Sequence, residues 1–503
     1  MKEDLKKKDL NRNILVLSSA ILIGFLAIMS YMIYFEVFKA EDIKTQQGNV
    51  RYAAKRNEVL RGSIYDREEN VLSYSERDSS GKQYRVYSGE KEYAQILGYV
   101  SNRGITGIEH YMDKYLIKDD FTFDLSPEYI KGFIKDPGEK IRREKKGNNI
   151  KTTLDPRLQE IAYDLMGDEF GKKGNIVALD PKTGEVLAMV NRPSYNPNNL
   201  DENYEELLKN TKDDGVLLNR AARGTFFPGS TFKIVTLASA LENLEGITER
   251  TFKDEGILKV NVGKDLPNVN GTSFGNIGLD KAFSVSSNVV FGSLAIELGG
   301  EKLSKTANDF GFNEDLNLAD MTVSKSIFTP YSKNDDGLLA ASGIGQTGVS
   351  THPLQMAMVG SAIANNGKLM KPYVVSHILK ADNSVKEKIE PTVFKESLSY
   401  ENADIIKNYM VNAVNSSTNQ NALVLQNIKA AGKTGTAEDF FVESSESEQE
   451  GIKRSVDNSW FVGFAPYDNP EIVVAVNIID GGYGSGEASR IAGILMSRYL
   501  ENR

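Results

Sequence analysis

A chain of 503 residues, 40% hydrophobic and 26% charged, has the apolar content for more than one packed domain. Its net charge of -9 argues against a nucleic-acid partner, and the lack of cysteine excludes disulfides, thiolate catalysis and cysteine-ligated metals. His110, His352 and His377 stand far apart without metal-ligand spacing, so each reads as a surface or core residue, and neither metal nor cofactor is expected.

Residues 14–35 carry no charge. As a helix they reach across a bilayer core of about 30 Å. A cleaved signal peptide is the alternative, but its apolar region is shorter, and Ala40, between Lys39 and Glu41, makes a poor cleavage site. Lys2, Lys6, Lys7, Lys8 and Arg12 precede the stretch, whereas only Lys39 and Lys44 closely follow it. The positive-inside bias therefore predicts a cytoplasmic tail over 1–13, a single-pass plasma-membrane helix over 14–35, and an extracytoplasmic remainder.

Residues 36–149 are polar and mixed in pattern, and read as a small pedestal domain with no catalytic constellation. Residues 61–66 and 70–72 predict two short strands around a turn. Residues 107–116 predict a short amphipathic helix with His110 on its surface. Residues 136–149 are almost without apolar side chains and predict a solvated linker or long hairpin.

The second domain runs over 150–503. Asp155-Pro156 predicts a capped helix start, with the helix running to about residue 170. Residues 175–179 and 185–190, joined by an Asp-Pro-Lys-Thr-Gly turn, predict a hairpin. Then comes Pro228-Gly229-Ser230-Thr231-Phe232-Lys233, with apolar residues at helical spacing from Phe232 to Leu244. Ser230 and Lys233 lie one helical turn apart, an arrangement in which an amine activates a serine without histidine. Taken alone, the pair reads more readily as an N-cap and a solvated lysine.

Ser286-Ser287-Asn288 precedes a second helical run, and by itself reads as a helix cap. Lys433-Thr434-Gly435-Thr436 sits among small residues in a strand pattern, which marks close approach to the backbone. Residues 443–450 are acidic and predict a loop at the edge of the cleft. Residues 460–464 and 471–479 predict neighbouring antiparallel strands, and 487–499 a closing helix. The fold expected is α+β, an antiparallel sheet flanked by helices.

The three motifs together, S-x-x-K, S-x-N and K-T-G in that order, resemble those of the penicillin-recognising serine acyltransferases. Arg61-Gly62-Ser63, Thr153-Leu154-Asp155, Asn219-Arg220-Ala221, Gly345-Gln346 and Asn458-Ser459-Trp460 are similar to stretches of the class B penicillin-binding proteins. The resemblance covers roughly residues 14–500.

That resemblance implies a penicillin-binding transpeptidase domain behind a single transmembrane helix and a dimerisation-like pedestal. Its substrate is the D-alanyl-D-alanine end of peptidoglycan stem peptides, and β-lactams are covalent inhibitors. Ser230 is the implied nucleophile and Lys233 its base, kept neutral by burial and by the charge of Lys433. Ser286 passes a proton to the departing amine, and Lys433 polarises Ser286. Asn288 holds the substrate amide, while Thr434, Gly435 and Thr436 line the strand that takes its carboxylate. The backbone N–H groups of Ser230 and Thr436 form the implied oxyanion hole. The implied partner is a polytopic glycan polymerase of the SEDS family.

A β-lactam hydrolase, a β-lactam sensor and a non-catalytic wall scaffold are the alternatives. Residues 314–317 are similar to part of the E-x-E-L-N element of class A β-lactamases, but Asn313 stands where its first glutamate would be, and the match reads as chance. Gly343-x-Gly345 lacks the strand-to-helix context of a nucleotide loop.

Overall fold

The computed structural model describes residues 2–38, 57–119, 145–167, 173–417, 420–443 and 452–501. The predicted strands, turns and helices condense into an α+β fold behind an N-terminal helix, Lys2–Phe38. Within that helix Asn13–Met32 is long and apolar enough to cross a membrane. Leu15, Leu22, Phe25 and Met32 are all exposed, as lipid-facing residues are.

The pedestal and the larger domain share a six-stranded sheet. Its order is Val385–Lys388, Val375–Leu379, Asn149–Thr152, Ile64–Tyr65, Val71–Arg77, Gln83–Tyr87. The predicted turn after Tyr65 is tied by Asp66, whose carboxylate accepts from the N–H groups of Glu68 at 2.8 Å and Asn70 at 2.9 Å. The helix expected over 107–116 breaks at Met112 into Gly107–Tyr111 and Asp113–Leu116. Buried charge accompanies the break. Glu109 accepts from Arg61 Nε and Arg85 Nε, each at 2.7 Å, while Asp113 pairs with Arg61 as well. His110 is exposed, as expected. Of the predicted linker, 136–144 lies outside the described residues, while Asn149 already belongs to the shared sheet.

The main sheet has five antiparallel strands in the order Val186–Arg192, Gly174–Leu179, Ile472–Ile478, Ile452–Ala465, Ala431–Glu443. Gly174–Leu179 and Ile472–Ile478 are buried throughout, because helices cover both faces. Pro353–Ala364 covers one face, whereas Pro156–Leu165 and Glu487–Leu500 pack on the other. Asp155 caps its helix, accepting from Leu158 N at 3.0 Å. That helix ends at Leu165, short of the expected 170, and 168–170 lies outside the described residues. The acidic stretch also falls outside them beyond Glu443, where the strand ends.

His352 is a core residue. It caps Pro353–Ala364, its Nδ1 accepting from Gln355 N at 3.2 Å and its Nε2–H donating to Ser324 O at 2.9 Å. Burial lowers its pKa from 6.5 to about 4, which keeps the ring neutral and the cap intact. His377 lies half-buried on the strand Val375–Leu379.

Candidate active site

The turn that carries Ser230 is built from tight backbone contacts. Gly229 has φ +53°, and a Cβ there would stand 2.3 Å from Thr436 O. Only glycine fits that conformation at that distance. Gly229 N–H donates to Gly345 O at 2.9 Å, so Gly345 supports the turn. Phe232 is fully buried, stacked on Phe328 with ring centroids 5.5 Å apart and edge-on to Phe312 at 5.6 Å. These contacts lock the turn from below.

Residues Gly229–Phe232 form a 3-10 turn, and the α-helix begins only at Lys233, running Lys233–Asn243. The sequence pattern predicts one continuous helix from Ser230. Lys233 Nζ donates to Ser286 O at 2.7 Å and Asn288 Oδ1 at 2.8 Å and lies 3.1 Å from Ser286 Oγ, with no hydrogen bond to Ser230.

Ser286 is the meeting point. Lys433 Nζ donates to the same hydroxyl at 3.1 Å, and to Thr434 O at 2.9 Å. One hydroxyl thus stands between two amines from the first and third motifs. Ser286 has φ +57°, a left-handed conformation that costs a non-glycine residue about 1–2 kcal/mol. That backbone leaves its carbonyl with Lys233 and its hydroxyl with both lysines.

Both amines are dry. Lys233 is fully buried and Lys433 is 3% exposed. The Phe291 ring centroid lies 5.7 Å from Lys233 Nζ, and that of Phe283 5.7 Å from Lys433 Nζ. Burial, and then the neighbouring charge of Lys433, hold the Lys233 pKa well below the usual lysine range. Burial alone brings Lys433 down to about 7.

Above the amines opens a cleft of about 460 Å³, lined by Ser230, Ser286, Asn288, Thr434, Gly435 and Thr436. Lys233 and Lys433 lie beneath its floor. The structure thus gathers all eight residues singled out in the sequence. Gly435 lies against the turn that carries Ser230, where a Cβ would stand 2.9 Å from Pro228 O and 3.0 Å from Thr231 N. Thr436 Oγ1 accepts from Gly484 N at 3.3 Å. Asn288 Nδ2 donates to Pro267 O at 2.8 Å, which fixes the side-chain amide. Glu314 pairs with Lys395 away from the cleft.

Sequence reasoning missed the loop over 254–273. Asn268 lines the cleft and accepts from Asn288 N at 2.7 Å, and Ser287 Oγ donates to Asp254 at 2.6 Å. Asp254 and Asn268 carry no motif spacing, so only the fold reveals the connection. No group of metal-ligating side chains occurs among the described residues.

Residues 174–497 match the family described as the penicillin binding protein transpeptidase domain, and residues 61–126 the penicillin binding protein A dimerisation domain. The peptidoglycan D,D-transpeptidase PbpA of Mycolicibacterium smegmatis is 30% identical over 492 residues, covering 94% of each chain. The peptidoglycan D,D-transpeptidase MrdA of Haemophilus influenzae is 32% identical over 383 residues, covering 71% of this chain and 57% of that one. Among solved structures, penicillin-binding protein A of M. tuberculosis as a penicillin G acyl-enzyme complex superposes with TM-score 0.75. It is 28% identical and covers 88% of this chain and 100% of that one.

Proposed function

The chain belongs to the class B penicillin-binding proteins, and from that premise we propose that it is a membrane-anchored serine D,D-transpeptidase cross-linking peptidoglycan stem peptides. The observation that carries this reading is the Ser286 hydroxyl set between two buried amines beneath the cleft that holds Ser230. A non-catalytic scaffold gains nothing from desolvating two lysines, each of which costs stability.

Ser230 Oγ attacks the carbonyl of the penultimate D-alanine. Its proton leaves to Lys233, whose neutral amine is the available base. The two groups share no hydrogen bond in the free site, and catalytic contacts of this kind tighten when substrate fills the cleft. The oxyanion lies against the N–H groups of Ser230 and Thr436, which the Gly229–Thr436 contact brings together.

Lys233 then returns its proton through Ser286 to the departing D-alanine amine, and Lys433 polarises that hydroxyl. Thr434 and Thr436 take the terminal carboxylate beside Lys433. A carboxylate there raises the Lys433 pKa from about 7 and so recruits the charge that binds it. Asn288 Nδ2 keeps one hydrogen, beyond that given to Pro267, for the donor backbone. An amine from a second stem then attacks the acyl-enzyme and completes the cross-link. β-Lactams acylate Ser230 by the same attack.

The N-terminal helix fits a single-pass anchor. With its basic end in the cytoplasm, the cleft faces the wall polymer, and anchor and pedestal together suit docking to a polytopic SEDS-family glycan polymerase.

The test uses the full chain in detergent with fluorescent penicillin, followed by a stem-peptide mimic. Long-lived labelling together with D-alanine release supports the transpeptidase. Labelling that decays within seconds would favour a hydrolase, and a stable adduct with no D-alanine release a sensor. Lys233→Ala should stay folded and label barely at all.

A further inference from the structure

We propose that Asp254 and Asn268 are positioning residues for acylation, holding the turn that carries Ser286 and Asn288 against Lys233. This rests on the acyltransferase reading of the cleft.

The turn needs an external hold, because the left-handed backbone of Ser286 persists only where its surroundings over-determine it. The 254–273 loop supplies that hold at three consecutive residues. Ser287 is fully buried, and its hydroxyl donates to Asp254 Oδ2 at 2.6 Å while accepting from Val290 N at 3.0 Å. Asn268 Oδ1 accepts from Asn288 N at 2.7 Å and Val289 N at 3.1 Å. The Asn288 side chain is tied to Pro267 O at 2.8 Å. The first N–H groups of the helix Asn288–Leu298 are thus met by loop and cap side chains together.

Asp254 fixes this assembly. It is fully buried, and every partner donates to it: Gly256 N at 2.9 Å, Asn268 Nδ2 at 2.8 and 2.9 Å, and Ser287 Oγ. Both carboxylate oxygens thus act as acceptors. The amide orientation of Asn268 follows, since Asp254 and Thr272 O, at 2.8 Å, consume its N–H groups and leave Oδ1 for the Asn288 backbone. Asp254 therefore sets Asn268 and Ser287, which set Asn288 and Ser286, which hold Lys233 Nζ. Asp254 itself does not line the cleft.

Asp254→Asn puts an N–H₂ where only donors point, so one contact must break and the turn loosens. An ångström of misplacement at a reacting group is worth about 100-fold in rate. The experiment measures penicillin acylation of the full chain in detergent by stopped-flow, separating the acylation rate constant from reversible binding, across pH. Asp254→Asn should lower the rate constant by about 100-fold. Its acid limb should move to higher pH as water reaches Lys233. Ser287→Ala should do the same, and the double variant should be no slower than Asp254→Asn. A loss of stability alone would move neither the acid limb nor this non-additivity. If Asp254→Asn does not fold, Ser287→Ala, lacking one hydroxyl, carries the test. Wild-type rate constant and pH profile in the folded variants would overturn this proposal alone, whereas a wild-type chain that never acylates would overturn the reading beneath it.

Discussion

Lys433→Met should make the protein more stable at neutral pH and less stable at high pH. Burial lowers the lysine from 10.5 to about 7. The unfolded chain keeps that lysine protonated up to about 10.4. Between these values the unfolded state binds more protons, so stability rises with pH. The displacement amounts to about 5 kcal/mol, a penalty in full force at pH 7 and below and gone above the unfolded pKa. Methionine is unbranched and needs no solvation, but it forfeits the bonds from Nζ to Ser286 Oγ and Thr434 O. At about 1 kcal/mol each, their loss leaves the variant about 3 kcal/mol more stable near pH 7 and about 2 kcal/mol less stable above pH 10.5. Urea unfolding reports this through Trp460, the single tryptophan, buried in the strand beside Lys433. A stability difference that stays the same from pH 7 to pH 10.5 would refute the claim that the amine is held below its ordinary pKa.

Gly435→Ala places a Cβ 2.9 Å from Pro228 O and 3.0 Å from Thr231 N, forcing the strand away from the nucleophile turn. Acylation by penicillin should slow by about 100-fold while unfolding stays cooperative, and an unchanged rate would show that the contact has slack. His352 predicts a loss of stability in acid. Its folded pKa of about 4 lies below the ordinary 6.5, so stability is complete above 6.5 and falls by about 3 kcal/mol as pH drops to 4. His352→Asn retains a capping side chain and does not titrate there. Thermal melts at pH 4.5 and 7 should show a smaller acid loss in the variant, and equal losses would sink the assignment.

The sequence made the site legible because its chemistry sits in short motifs. Ser230 and Lys233 share one turn, and Gly435 among small residues in a strand pattern already announces a close backbone approach. The hairpin at 174–192 and the paired strands after residue 452 were legible for a similar reason, since their turns and apolar runs are local. What could not be read depends on distant contacts. The 3-10 start before Lys233 goes with Gly229 pressed against Thr436 and hydrogen-bonded to Gly345, both far away in sequence. The helix break at Met112 accompanies an ion cluster between Glu109 and arginines 48 and 24 residues earlier. Asp254 reaches Ser287 across 33 residues, a separation at which periodicity carries no signal.

The central claim is that Ser230 is the acylated residue. Its most direct test is mass spectrometry of the full-length protein after exposure to penicillin G, with the adduct mapped by proteolysis. One penicillin per chain on the peptide containing Ser230, absent from a folded Ser230→Ala variant, is the predicted result. An adduct elsewhere, or equal modification of Ser230→Ala, would contradict the account.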